Sequence, residues 1–200
     1  MRSINYCKAI VICHGKSEKS LFDRIASCLG IPIAVWADKK GKKSVEINSV
    51  RNILKRDDFT PTYFKDKFSG CHFNDKGKPI KLKVFFVLDK DITKDDIFKR
   101  YCNHELFSDS WLKDMLIPIY NDVCLESTLK AIRWPYECKN NRKARFYNKL
   151  FREKIGNVKD VQKLADKLSK TNHTNMEELL YYILKCYFPN LKSSSSNIQK

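Results

Sequence analysis

Two uninterrupted apolar runs constrain the fold of this chain more than anything else in it. Lys81-Leu82-Lys83-Val84-Phe85-Phe86-Val87-Leu88 is the clearest strand, and Lys8-Ala9-Ile10-Val11-Ile12-Cys13 is the first. Both are rich in β-branched or aromatic residues, and from Ala9 and from Val84 onward neither alternates with polar ones, so both read as strands buried on two faces, as in a parallel sheet covered by helices.

The intervening segments supply the helices. After His14-Gly15-Lys16-Ser17-Glu18, the apolar positions Leu21, Phe22, Ile25 and Leu29 predict a helix over 17–29, stopped by Gly30. A strand follows over 31–36, then the basic loop Lys39-Lys40-Gly41-Lys42-Lys43 and a helix over about 48–55. Residues 56–80 are polar and punctuated by Pro61, Gly70, Gly77 and Pro79; they read as an insertion with a short helix near 63–68. Past the strand ending at Leu88, Thr93 predicts an N-cap for a helix reaching Tyr101, Met115–Tyr120 a fourth strand, and Leu125–Ile132 a further helix. The order strand, helix, strand, helix, strand predicts an α/β domain over residues 1–135 with a mostly parallel four-stranded sheet.

Beyond Trp134-Pro135 the character changes. Residues 139–154 carry seven basic side chains and one acidic. Val158, Val161, Leu164, Ala165 and Leu168 mark an amphipathic helix, and Thr174 with Glu177 predicts a capping box for a last helix ending before Pro189. This gives a basic helical extension over 136–190 and a disordered tail over 191–200 that contains Ser193-Ser194-Ser195-Ser196.

Charge and cysteine usage narrow the partners. The formal net charge is +16, from 39 basic and 23 acidic residues, which favours a polyanionic partner, nucleic acid before membrane surface. A lysine-rich codon bias would give the same excess. No apolar run reaches the roughly 18–20 residues of a membrane helix and no signal peptide is visible, so a cytoplasmic protein is expected. The eight cysteines form no Cys-x-x-Cys pair, which argues against a disulfide framework and against zinc.

The chemistry is concentrated at two strand ends. The first strand delivers His14 and Glu18, the third Asp89-Lys90-Asp91. Open parallel sheets bind ligands at the carboxyl ends of their strands, so residues from both can meet there. In extended chain, residues i and i+2 point the same way, and two carboxylates so placed repel unless a cation lies between them. Mg²⁺ or Mn²⁺ is the expected cation. Gly15-Lys16-Ser17 copies the end of a P-loop, but Ile10 stands where its first glycine belongs.

The succession of a strand, H-G-K-S-E, a helix, a strand, a helix, a strand and D-K-D resembles the Toprim domain, over roughly residues 8–132. That family includes topoisomerases, bacterial primases, ribosomal-RNA maturases, OLD-family nucleases and phage-defence effectors. Gly15 and Glu18 match its E-G-x-x-E pattern, with His14 in place of the first glutamate, and Asp89 and Asp91 match its Asp-x-Asp.

The resemblance implies metal-assisted phosphodiester hydrolysis at His14, Glu18, Asp89 and Asp91, with Glu126 as a further acidic ligand. The size leaves no room for an ATPase domain, so the chain is expected to work alone, with a separate protein partner or as a homo-oligomer. His14 leaves three readings open: an imidazole acting as acid/base or metal ligand, a degenerate site that binds without cutting, or a bystander beside Glu18. Lys16, Lys39, Lys40, Lys42 and Lys43 are expected to hold phosphates. Arg142, Lys143, Arg145, Lys149 and Arg152, interleaved with Phe146 and Tyr147, form a second candidate nucleic-acid surface. The same stretch also reads as a solvated helix with Phe146 and Leu150 buried.

Overall fold

A computed structural model describes residues 6–188. The proposed tail, and Pro189 with it, lie outside the described residues. Four strands, β1 (Ala9–Cys13), β2 (Ile33–Ala37), β3 (Lys83–Asp89) and β4 (Leu116–Asn121), form one sheet in the order β2-β1-β3-β4. Every pairing is parallel, as the continuous apolar runs require. All five residues of β1 are buried.

The period-two alternation sorts these strands between two cores. Ala9, Val11, Cys13, Phe85 and Val87 face one side, where they meet Leu21, Phe22 and Ile25 of α1 (Lys16–Leu29). The same core takes in α5 (Leu125–Ala131), α6 (Asn140–Lys154), α7 (Val158–Leu168) and α8 (Met176–Tyr187). Ile10, Ile12, Val84, Phe86 and Leu88 face the other side, against α2 (Val50–Leu54), α3 (Pro61–Lys67) and α4 (Asp95–Cys102). The C-terminal helices thus share a core with the sheet.

Two expected caps form differently. Helix α4 begins at Asp95 with Lys94 as its N-cap, and the buried Thr93 hydroxyl has no hydrogen-bond partner. Helix α8 is preceded by Asn175, whose side chain binds the edge strand instead, accepting from Tyr120 N at 2.9 Å and donating to Pro118 O at 3.1 Å. Thr174 turns toward β4 as well, donating to Tyr120 O at 2.6 Å, and Glu177 keeps a buried, unpartnered Oε2. Thr174 Oγ1 still accepts from Met176 N at 3.1 Å, so its hydroxyl serves the helix start and β4 together, while Glu177 does not close the box. Among the described residues, no helix is long and apolar enough to cross a membrane.

Candidate functional site

The strand order reverses between β1 and β3, so the crevice beyond their carboxyl ends is the topological switch point. His14 directly follows β1, and Asp89 is the last residue of β3. The sheet register sets Asp89 against Asn121, the last residue of β4. Glu18 enters from the first turn of α1, and Glu126 from the first turn of α5.

Glu18, Asp89 and Glu126 are all buried, at 3%, 5% and 9% exposure. Burial pushes the Asp89 carboxyl well up, and the charges of Glu18, Glu126 and Asp91 push it further, against the Asn121 hydrogen bond. Glu18 is raised by the same desolvation and by Glu126, with His14 and the Gly15 amide opposing. The three carboxylates therefore lie within each other's fields. One Glu18 oxygen accepts from Gly15 N at 3.0 Å, which ties it to the start of its own helix.

His14 is clamped between two acids. Its Nδ1 lies 3.1 Å from Val45 O and 4.0 Å from Glu46 Oε2, and its Nε2 lies 3.8 Å from Asp89 Oδ2. A carbonyl only accepts, so Nδ1 carries a proton, and Nε2 faces Asp89. The clamp depends on the basic loop, since Val45 N donates back to His14 O at 2.8 Å. Gly41 makes the crossing possible: its φ is +84°, and a Cβ there would stand 2.9 Å from Lys16 Cα.

Asn121 holds the far side together. It is fully buried; its Nδ2 donates to Asp89 Oδ1 at 2.9 Å, and its Oδ1 accepts from Thr128 at 3.1 Å. Thr174 Oγ1 stands 3.3 Å from the same oxygen. Neither Asn121 nor the two threonines stands out in the sequence. The available signal is positional: Asn121 ends an apolar strand adjacent to the one that ends in Asp89.

Glu126 is already paired. Lys143 Nζ lies 2.9 Å from its Oε1, and the Tyr147 hydroxyl donates to the same atom at 3.1 Å. Desolvation, the largest influence, would raise Glu126, but the Lys143 ammonium with the residue's own backbone amide and the Cys124 thiol outweighs it and leaves the carboxyl below its usual value.

Two sequence expectations change here. Lys143 turns inward to this carboxylate, whereas Arg142, Arg145, Lys149 and Arg152 are exposed. Tyr147 is fully buried, stacked on Phe151 at 5.4 Å, and Phe146 packs against the core, so neither ring is free to stack on a base. The apolar side of α6 is spent on α1 and the core, which leaves only its charged side outward.

Asp91 stands apart. β3 ends at Asp89, so the alternation that would aim both aspartates one way stops there. Asp91 is exposed in the following turn, and its carboxylate accepts from Ile92 N. Lys16, Lys39, Lys40, Lys42 and Lys43 are exposed, on or beside the loop that crosses the start of α1.

The donor set fits a hard cation in part. Glu18 and Asp89 are buried carboxylates that repel, and the His14 ring stands 3.8 Å from Asp89 Oδ2, beyond hydrogen-bond distance. Glu126 is engaged and Asp91 is outside. Among the described residues, no group of three or more His, Cys, Asp or Glu side chains is arranged to hold a metal ion. Two carboxylates suit Mg²⁺, which commonly takes one or two from protein and completes its shell with water and substrate phosphate. Comparison with protein-family models, curated proteins and solved structures finds no match to this chain.

Proposed function

We propose that the chain is a divalent-metal-dependent phosphodiesterase, a nuclease or nuclease-derived effector acting on DNA or RNA, with Glu18 and Asp89 taking Mg²⁺ or Mn²⁺. The observation that carries this reading is the convergence of Glu18, Asp89 and Glu126, from three elements, at the switch point of a parallel sheet. Buried carboxylates that raise one another's pKa are unfavourable when ionised, and a cation relieves that cost.

A bound divalent ion would supply Lewis-acid polarisation of the phosphate and a more acidic water. His14, with Nδ1–H held on Val45 O, would leave Nε2 as the group that could accept a proton beside Asp89. Lys16 and Lys39, Lys40, Lys42 and Lys43 would hold the nucleic-acid backbone at the mouth of the site, and Arg142, Arg145, Lys149 and Arg152 would extend that surface along α6. The +16 charge makes such binding strongly salt-dependent. A phage-defence role and a separate protein partner or self-assembly rest on the Toprim resemblance alone.

A second reading is a non-cutting module of the same fold that binds nucleic acid, nucleotide or a partner protein. The Lys143–Glu126 pair favours it, because an internal cation already neutralises one of the three carboxylates.

The test has two arms. Calorimetry with Mn²⁺ should show binding by the wild type that is lost in Asp89→Ala. Incubation with single-stranded DNA, duplex DNA and structured RNA should show metal-dependent cleavage lost in the same variant. Cleavage that survives Asp89→Ala removes the site, and metal binding without cleavage of any substrate selects the binding module.

A further inference from the structure

The two buried thiols of Cys7 and Cys71 face each other across a β-bridge on the sheet side opposite α1. Cys7, just before β1, pairs in parallel with Cys71 of the 56–80 segment, and Cys7 N donates to Gly70 O at 2.8 Å. Bridged strands run about 4.7–4.9 Å apart with partner side chains on the same face. That spacing falls within the roughly 4.4–6.8 Å between Cα atoms that a disulfide spans. We propose that Cys7 and Cys71 are a redox pair, closed to a disulfide by a peroxide and reopened by a dithiol.

The hydrogen bonding assigns the roles. Cys7 Sγ donates to Ala9 O at 3.1 Å, which leaves the Cys7 sulfur free to accept from the Cys71 S–H that the bridge sets beside it. A thiolate at Cys7 is stabilised by that donor, which brings its pKa down to about 7 despite burial, while Cys71 is pushed up. Cys7 is therefore the nucleophile and Cys71 the resolving thiol.

Access comes from the Cys71 side. Cys71 lines an open surface groove of about 560 Å³ with Lys65, Asp66, Ser69 and Phe73. The Cys7 thiolate attacks one peroxide oxygen, giving a sulfenic acid and releasing hydroxide. The Cys71 thiol then attacks the Cys7 sulfur and expels water. Two thiols and one hydrogen peroxide become one disulfide and two waters. The product ties the start of β1 to the 56–80 segment, which packs Phe59, Phe64 and Phe68 into the same core as Cys7 and Cys71.

The full-length protein, treated natively with hydrogen peroxide and digested with trypsin without reductant, should yield peptides 3–8 and 68–76 joined and lighter by two hydrogens. This link should form before any other cysteine pairing, reverse with dithiothreitol, and raise the melting midpoint by about 5–10 °C. Cys7→Ser and Cys71→Ala should each abolish both effects, and Cys138→Ser neither. A first link between other cysteines, oxidation of Cys7 or Cys71 to sulfinic acid without a link, or a link that appears only after denaturation overturns the proposal. The wild-type digest alone decides this if a variant fails to fold.

Discussion

Asn121 at the end of β4 donates its side-chain amide to Asp89 at the end of β3, 2.9 Å away, inside a site where Asp89 is pressed on by Glu18 and Glu126. The bond opposes the rise in Asp89's pKa, so Asn121 favours the ionised form. Asn121→Ala leaves Asp89 Oδ1 and the Thr128 hydroxyl without this buried partner. A stability loss of about 2–3 kcal/mol is expected in denaturant titration. Asn121→Leu, which fills the space but cannot bond, should lose a similar amount. A loss below about 0.5 kcal/mol would show that water replaces the amide there.

The pH dependence of stability follows from the raised carboxyls. Glu18 and Asp89 have folded pKa values above their ordinary ones, so they hold protons more tightly in the native state. Their contribution is fully present below the ordinary carboxylate range and is lost as pH rises through the elevated folded values. In metal-free buffer, Asp89→Asn should therefore flatten the fall in stability above that range and raise the melting midpoint at neutral pH. Added Mg²⁺ should stabilise the wild type more than the variant, and an equal effect on both would detach the cation from Asp89.

Glu126 titrates with the opposite sign. Lys143 holds it below its usual value, so this pair stabilises the fold above the ordinary glutamate range and is lost as pH falls through the lowered folded value. Lys143→Met should cost about 1–2 kcal/mol at neutral pH, since the pair is only partly buried. The loss should shrink in acid, where Glu126 is protonated in both proteins. A pH-independent loss would instead indicate packing of the lysine stem against its neighbours.

The loop crossing at Gly41 is steric. Gly41→Ala places a Cβ against the Lys16 backbone at a position whose φ is +84°. A destabilisation of about 1–3 kcal/mol is expected, with the His14 ring signals of an NMR spectrum shifting as the Val45 contact loosens. An unchanged imidazole environment would show that His14 keeps its place without the crossing.

The sequence by itself determined the four parallel strands and which of their ends bring polar side chains together. Continuous apolar runs such as Lys8–Cys13 and Lys81–Leu88 can be satisfied only by burial on two faces, and polar residues at their ends cannot follow them inside. His14, Glu18 and Asp89 were legible on that ground.

Tertiary structure alone decided the rest. Asp91 falls outside because the strand ends two residues earlier, a boundary that local pattern does not resolve. Lys143 reaches Glu126, and Thr174 reaches β4, across gaps of many residues. Asn121 gains its role only from the register that sets it beside Asp89. Hydrogen bonds and ion pairs of this kind depend on distances between elements, and those distances exist only once the two cores have closed.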